Sequence, residues 1–191
     1  MRGNGDIPHI STKAQLIAPI WSSRCATLTC MPRTARAIVG GHCYHVINRG
    51  NNRAPIFHGT ADYRAFLSLI CDSQERVALP ILAACLMPNH LHLVVRPTNA
   101  EDVARWTHWL FTTHVRRHHA KYKTSGRIWQ GRFKAFIIQR DHHLLSVLRY
   151  VEGNALRANL VARAEDWRWG SLQWRARSDS PVALSPSPTP L

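Results

Sequence analysis

An apolar hairpin that contains two histidines places the strongest constraint on the fold of this 191-residue chain. The segment 79–96 reads LPILAACLMPNHLHLVVR, and its two apolar runs are separated by the turn-forming residues MPNH. Apolar runs of this length, bounded by turn residues, are typical of strands that are buried in a sheet. The segment therefore predicts two adjacent antiparallel strands in the interior of a sheet.

The two histidines of the hairpin, His90 and His92, fall on one face of the second strand because side chains alternate along a strand. Their Cα atoms are then roughly 6.5–7 Å apart, and Leu91, Leu93 and Val95 occupy the opposite face. Two imidazoles at that spacing can bind one cation. The same pair also fits the open face of a sheet, bonded to water or to a neighbour, so the pattern alone leaves both interpretations open.

A later helical segment, 141–161, carries side chains that could complete such a site. At 100° per residue, Tyr150, Asn154 and Arg157 lie within one stripe about 60° wide. A separate apolar stripe is expected to face the core and consists of Leu144, Leu148, Val151 and Ala155. If the helix crosses the histidine face of the sheet, two imidazoles and an amide oxygen can hold a divalent metal beside a phenol. The alternative is an ordinary amphipathic helix with a half-exposed tyrosine.

The other periodic segments predict an α+β fold. A first strand is expected at 42–49, helices at 60–77 and 99–122, and a further strand at 132–140. The resulting β-α-β-β-α-β order, followed by a C-terminal helix, is typical of a ferredoxin-like antiparallel sheet. We expect its helices to lie on one face of the sheet.

The ends of the chain differ in composition from the middle. Residues 1–34 lack periodicity and are expected to be a disordered or mis-called N-terminal extension. The tail 177–191 is rich in Ser and Pro and is expected to be unfolded. The folded domain is therefore expected at 35–176.

The charge balance indicates a polyanionic partner. The chain has 25 Lys and Arg against 11 Asp and Glu, a net charge of +14. We expect nucleic acid and not a membrane, because no apolar run reaches about 18 residues and the basic residues are interleaved with Trp, His and Tyr. The five cysteines form no metal-binding spacing and suit a reducing cytoplasm, so they receive no functional role.

Three ordered motifs carry a resemblance to a known family: MPNHLHLVV (87–95), WQGRFKAF (129–136) and LLSVLRYVEGNALRANLVARAEDWRWGSL (144–172). From about Met31 to Trp174 the chain resembles the tyrosine transposases associated with repetitive extragenic palindromes (REP). These are relatives of the transposases of the smallest insertion sequences, within the histidine–hydrophobe–histidine endonucleases. The stretch YHVINRGNNRAPIF is also similar to that family's first strand and the loop after it.

The resemblance implies a ferredoxin-like fold, a divalent metal (Mg²⁺ or Mn²⁺) and a single nucleophilic tyrosine. Carried onto this sequence, it makes His90 and His92 the metal ligands, Tyr150 the nucleophile and Asn154 the third ligand. Related enzymes more often carry glutamine at that last position, and the shorter amide of asparagine requires a closer helix. Tyr122 is the alternative nucleophile, because relatives are also rich in Tyr and His in that region.

Basic, amide and aromatic residues are candidates for the DNA-binding surface, because single strands are held by basic grooves with stacking aromatics. The loop 48–53 carries Asn and Arg groups that can read base edges, and the run 116–127 together with WQGRFK forms a candidate phosphate track. The candidates are Asn48, Arg49, Asn51, Arg53, Arg116, Arg117, Lys121, Lys123, Arg127, Trp129, Gln130, Arg132, Lys134 and Arg157.

Together these features predict a metal-dependent single-stranded DNA endonuclease and strand transferase. We expect it to recognise palindromic DNA hairpins, to cleave through a 5′-phosphotyrosine and to work in the bacterial cytoplasm, on the nucleoid. The alternative is a non-catalytic hairpin-binding protein, either a repressor or a decayed transposase. Relatives act as dimers or as single subunits, so a monomer and a homodimer both stay open.

Overall fold

The computed structural model describes residues 38–139 and 142–186. The expectations for residues 1–34, and for 187–191 at the end of the chain, lie outside the described residues. None of the helices in the described part has the length and apolar character needed to cross a membrane. The strands and helices are β1 (Cys43–Arg49), α1 (Thr60–Arg76), β2 (Ile81–Met87), β3 (His90–Val95), α2 (Asp102–Tyr122), β4 (Lys134–Ile138), α3 (His142–Glu152), α4 (Asn154–Arg157) and α5 (Ser171–Ala176).

The four strands form one sheet in the order β2-β3-β1-β4, with every adjacent pair antiparallel. This order places the hairpin of β2 and β3 beside β1 and leaves β4 at the edge. The predicted α+β class and the ferredoxin-like antiparallel sheet are confirmed. The observed strands and α1 and α2 begin and end within three residues of the predicted bounds.

One face of the sheet is covered by α1 and α2. In α1 the apolar residues recur at helical spacing, so Tyr63, Phe66, Leu67 and Ile70 are all buried. They pack with α2 against one set of alternating strand residues, as predicted for Leu91, Leu93 and Val95. This layer is the larger of two hydrophobic clusters in the described residues.

The other face of the sheet is covered by α3. The predicted apolar stripe, with Leu144, Leu148 and Val151 in α3 and Ala155 in α4, packs on the opposite side of β2 and β3. The expectation that the helices of the β-α-β-β-α-β unit lie on one face is confirmed for α1 and α2, and α3 covers the histidine face, whose cover the sequence left open. The physical reason lies in β2, whose seven residues ILAACLM are all buried. A strand that is apolar at every position needs a cover on both faces.

The last helical segment is divided, because α3 ends at Glu152 and α4 begins at Asn154. The carboxylate of Glu152 is buried and accepts hydrogen bonds from Ser171 Oγ, at 2.6 Å, and from Arg175. Arg175 also donates to the carbonyl of Leu82. These bonds attach α5 to both α3 and β2, which holds α3 in place across the sheet.

The described part of the Ser/Pro-rich tail packs on the domain, in contrast to the expectation of an unfolded tail from residue 177. Val182 is buried in the larger cluster, and Leu184 forms a parallel bridge with Ile81. Ser185 N donates to Ile81 O at 2.8 Å, and Gln74 Nε2 donates to Ala183 O at 2.9 Å. Two apolar side chains and backbone pairing with the free edge of β2 outweigh the polar composition of this segment.

Candidate active site

The two histidines of β3 share one face of the sheet, as the strand alternation predicts. His92 is buried, His90 is partly buried, and the centroids of their rings are 5.0 Å apart. Leu91 and Leu93, which alternate with them, point into the core on the other side. The α3 helix covers the histidine face, so the condition that the sequence left open is met.

A third histidine, His45 of β1, belongs to the same cluster and was missed by the sequence reasoning. Its Nε2 atom is 2.9 Å from Nδ1 of His92, and the two rings stack with centroids 5.1 Å apart. The antiparallel register places Ile47 opposite His92, so His45 is the diagonal neighbour of His92 on the same face. Its alternation with the buried Tyr44 and Val46 is visible in the sequence, but the contact depends on the register of β1 against β3.

Burial keeps all three imidazoles neutral at pH 7. Desolvation lowers the pKa of His45 to about 4. Desolvation, with the positive charge of Arg49, lowers the pKa of His90 to about 4. For His92, desolvation and the neighbouring charged groups lower the pKa to about 3. A neutral imidazole offers a lone pair, which is the form that binds a metal ion.

The hydrogen bonds of the two β3 histidines suit a metal site. His90 Nδ1 is 2.6 Å from Asn89 Oδ1, and His92 Nδ1 is 2.9 Å from His45 Nε2. These contacts use Nδ1 of both β3 rings, so Nε2 is the atom of each ring that could bind a metal ion. A second partner on the far nitrogen is the usual arrangement of metal-binding histidines. No group of three or more His, Cys, Asp or Glu side chains in the described part of the chain is placed to hold a metal. A cation here therefore needs an amide, water or phosphate oxygen as well.

The phenol of Tyr150 lies beside this cluster. Its ring centroid is 5.9 Å from those of His45 and His92, and its side chain is 47% exposed. The guanidinium carbon of Arg157 lies 4.4 Å from the centroid of the Tyr150 ring, and the same guanidinium donates to the Tyr150 carbonyl. The predicted stripe of Tyr150 and Arg157 is thus confirmed, and it faces the histidines.

Asn154, the predicted third ligand, is buried at the first position of α4. Its Nδ2 donates to the carbonyl of Val151 at 3.3 Å, which leaves its Oδ1 outside that bond. Asn154 follows Tyr150 by four residues, and the division between α3 and α4 lies between the two residues. Its role as a metal ligand stays a prediction.

The alternative nucleophile, Tyr122, is not part of this cluster. It lies at the end of α2, which covers the opposite face of the sheet. Its hydroxyl donates to Asp62 Oδ2 at 2.7 Å, and its ring contacts those of His58 and His118. The structure therefore does not bring Tyr122 together with the β3 histidines.

The predicted DNA-binding residues fall into separate groups. Arg49, Gln130, Arg132 and Lys134 line one surface cavity on the β1–β4 side of the sheet. A second group is exposed at the end of α2 and in the segment after it: Arg116, Arg117, Lys123 and Arg127. Asn51 and Arg53 lie in the short turn after β1.

Four of the predicted DNA-binding residues are engaged within the fold. Trp129 is a core residue and not a surface platform, because it packs between Phe111 and His114. Asn48 is buried, although it also borders the cavity beside Arg49. Lys121 is paired with Asp62, and Arg157 covers Tyr150. Trp129 is buried because the backbone before β4 bridges to Gly50 at the end of β1, which directs the indole inward.

The fold and the cluster around Tyr150 can be compared with known protein families. The family model described as "Transposase IS200 like" matches residues 38–154, from β1 to the start of α4, and so includes His45, His90, His92 and Tyr150. The chain belongs to this family of transposases. The resemblance drawn from the sequence motifs is confirmed.

Two relatives support the assignment. A Haemophilus influenzae protein named as a REP-associated tyrosine transposase is 29% identical over 118 residues, which are 56% of this chain and 66% of the relative. The chain thus spans just under two thirds of the length of that relative. A solved structure of a REP-associated tyrosine transposase bound to a REP hairpin covers 84% of this chain and 95% of its own, with a TM-score of 0.60 and 19% identity. At that identity the match shows the shared fold.

Proposed function

We propose that this chain is a metal-dependent single-stranded DNA endonuclease and strand transferase that recognises DNA hairpins. One observation carries the proposal: the half-exposed phenol of Tyr150 lies against a cluster of neutral imidazoles at the centre of a sheet face. A phenol that is accessible to solvent can also be reached by a phosphodiester of a bound DNA strand. The imidazoles beside it can bind the cation that such a reaction uses.

The reaction is a transesterification in two reversible steps. The Tyr150 oxygen attacks the phosphorus, an oxygen–phosphorus bond forms, and the bond from phosphorus to the 3′ oxygen breaks. The phenolic proton passes to water and the leaving 3′ oxygen takes up a proton. The products are a 5′-phosphotyrosine and a free 3′-hydroxyl. Attack of a 3′-hydroxyl on the phosphotyrosine then reseals or transfers the strand and restores the phenol without ATP.

The residues around Tyr150 prepare this step. The Arg157 guanidinium lies over the Tyr150 ring and donates to the Tyr150 carbonyl, and its positive charge would neutralise part of the charge of a phosphate bound beside the phenol. The contact between His45 Nε2 and His92 Nδ1 holds the His92 ring in one orientation, and when His45 accepts this bond the Nε2 atom of His92 keeps its lone pair for a metal ion. His90, His92 and the Asn154 amide oxygen would hold the divalent cation, which would polarise a phosphate oxygen. Imidazole ligands favour Mn²⁺ over Mg²⁺, so Mn²⁺ is expected to bind more tightly.

Hairpin DNA is the substrate class that the relatives suggest. The solved relative with the same fold is bound to a REP hairpin, and this chain carries a net charge of +14. Single-stranded flanks of such a hairpin expose the phosphodiester that a lone tyrosine can reach. We place this activity on DNA in the bacterial cytoplasm, with the protein acting as a monomer or a homodimer.

The proposal is tested by incubating the protein with a labelled single-stranded hairpin and Mg²⁺ or Mn²⁺, followed by denaturing gel electrophoresis. A covalent protein–DNA adduct is expected from the natural protein and from Tyr122→Phe, and none from Tyr150→Phe. An adduct that survives Tyr150→Phe and disappears in Tyr122→Phe would refute the assignment of the nucleophile. Salt-sensitive hairpin binding without any adduct would favour the non-catalytic alternative.

A further inference from the structure

A cavity of about 380 Å³ lies beside the proposed active site, between the end of β1 and the start of β4. This volume falls within the range of small-ligand pockets, about 300–1,000 Å³. Its lining includes Ile47 and Arg49 of β1, Gln130 and Arg132 of the segment before β4, and Lys134 and Phe136 of β4.

Strand register places this cavity on the face of the sheet that bears the histidines. Across β1 and β4, Phe136 pairs with His45 and Lys134 pairs with Ile47, so their side chains share the face of His45. Across β1 and β3, Arg49 pairs with His90. The cavity and the histidine cluster are therefore neighbours on one surface, joined through His45 and Arg49.

The chemistry of the lining is that of a nucleotide site. Arg49, Arg132 and Lys134 supply three positive charges, and none of the described residues that line the cavity is acidic. Phe136 is 52% exposed, so about half of this aromatic residue is accessible to solvent on an edge strand. Basic groups combined with an exposed aromatic ring are what proteins use to hold single-stranded nucleic acid, since every unpaired base offers a face for stacking.

The wall of the cavity opposite β1 is held by backbone hydrogen bonds. Gln130 N donates to Arg49 O at 2.8 Å, and Asn51 N donates to Ile128 O at 2.8 Å. Gly50 also forms an antiparallel bridge with Trp129, whose side chain is anchored in the core. The segment that carries Gln130 is thus a short extension of the sheet, so the site is formed before a ligand arrives.

We propose that this cavity binds one nucleotide of the single-stranded DNA that flanks the phosphodiester attacked by Tyr150. The base stacks on Phe136, and its phosphate lies among the three cations of the cavity. The proposal rests on the proposed function, since that function supplies the strand. It adds a substrate-positioning residue, Phe136, and a defined subsite next to the reacting phosphate.

The test compares binding of two labelled hairpins, one with single-stranded flanks and one blunt, by fluorescence anisotropy without divalent metal. Phe136→Ala is expected to lower the affinity for the flanked hairpin about 5- to 150-fold, the range of one base stack, and to leave the blunt hairpin unchanged. Phe136→Tyr is expected to keep the affinity. Ile137→Ala is the matched control: Ile137 is the next residue of β4, is 54% exposed and points to the other face.

A second measurement locates the nucleotide. 2-Aminopurine placed in turn at each flanking position is expected to be quenched at one position, and Phe136→Ala is expected to relieve that quenching. Equal effects of Phe136→Ala and Ile137→Ala, equal losses for both hairpins, or no binding of the flanked hairpin would overturn the proposal. Because binding precedes cleavage, an adduct that forms without Phe136-dependent quenching refutes only the subsite, whereas such quenching without an adduct refutes only the proposed catalysis.

Discussion

His114 of α2 makes the stability of this domain depend on pH. Its ring is buried against Phe57, Phe66 and Trp129, and its Nδ1 has no hydrogen-bond partner among the residues that the structure describes. Desolvation lowers the pKa of His114 to about 3, from 6.5 for an unperturbed histidine. Between pH 3 and pH 6.5, His114 is therefore neutral in the folded protein and protonated in the unfolded chain.

The sign and size of the effect follow from linkage. Below pH 6.5 the unfolded state binds more protons at this position, so the free energy of unfolding decreases as the pH falls towards 3. From pH 7.5 to pH 5 this one residue lowers the free energy of unfolding by about 2 kcal/mol, because at pH 5 the histidine of the unfolded chain is about 30 times more often protonated than neutral. This is a large fraction of the roughly 5–15 kcal/mol that stabilises a typical domain.

The assay is urea unfolding of the natural protein and of His114→Phe at pH 7.5 and at pH 5, with EDTA present. Phenylalanine fits an aromatic surrounding and cannot be protonated. The difference in unfolding free energy between the two proteins is expected to shift by about 2 kcal/mol in favour of the variant at pH 5. Comparing the two pH values cancels any effect of the substitution on the unfolding free energy that does not depend on pH. His108→Phe, at an exposed position of the same helix, controls for the replacement of a histidine by phenylalanine. A difference that is the same at both pH values would refute the reasoning.

Two further substitutions test the site and the fold. His45→Phe keeps the stacked ring but removes the hydrogen bond to His92, so Mn²⁺ affinity measured by calorimetry is expected to fall about 10- to 100-fold; unchanged affinity would show that His45 does not support the ligand. Gly50→Ala would place Cβ 2.3 Å from the carbonyl oxygen of Ala54, so the urea midpoint is expected to fall by an amount equivalent to about 1–3 kcal/mol. Gly59→Ala, where the added Cβ meets nothing, should leave that midpoint nearly unchanged.

Local sequence patterns were sufficient to predict much of the fold and about half of the candidate site. Alternation along β3 places His90 and His92 on one face, and helical spacing places Tyr150 and Arg157 on one stripe, whatever the rest of the chain does. The motifs around these residues also indicate the family that the comparison confirms. Such features depend on neighbours a few residues apart, which is the range over which backbone periodicity acts.

The composition of a segment did not predict its burial where contacts with residues distant in the sequence determine that burial. Trp129 lies in a basic, aromatic stretch that predicts a DNA-binding surface, but bridging of its backbone to β1 turns the indole into the core. The tail is polar on average, but two apolar residues and the free edge of β2 hold residues 181–185 on the domain. In both segments long-range backbone pairing outweighs the average polarity.

The sequence by itself determined the order of the elements, the shared face of the β3 histidines, the stripe that carries Tyr150 and the basic character of the chain. Only the tertiary structure decided that α3 lies opposite α1 and α2, that His45 holds His92, and that Phe136 and Arg49 border the same surface as the histidines. The physical reason is register. Which residues face one another across β1, β3 and β4 is set by packing on both sides of the sheet, and a shift of one residue would turn each of these side chains to the other face.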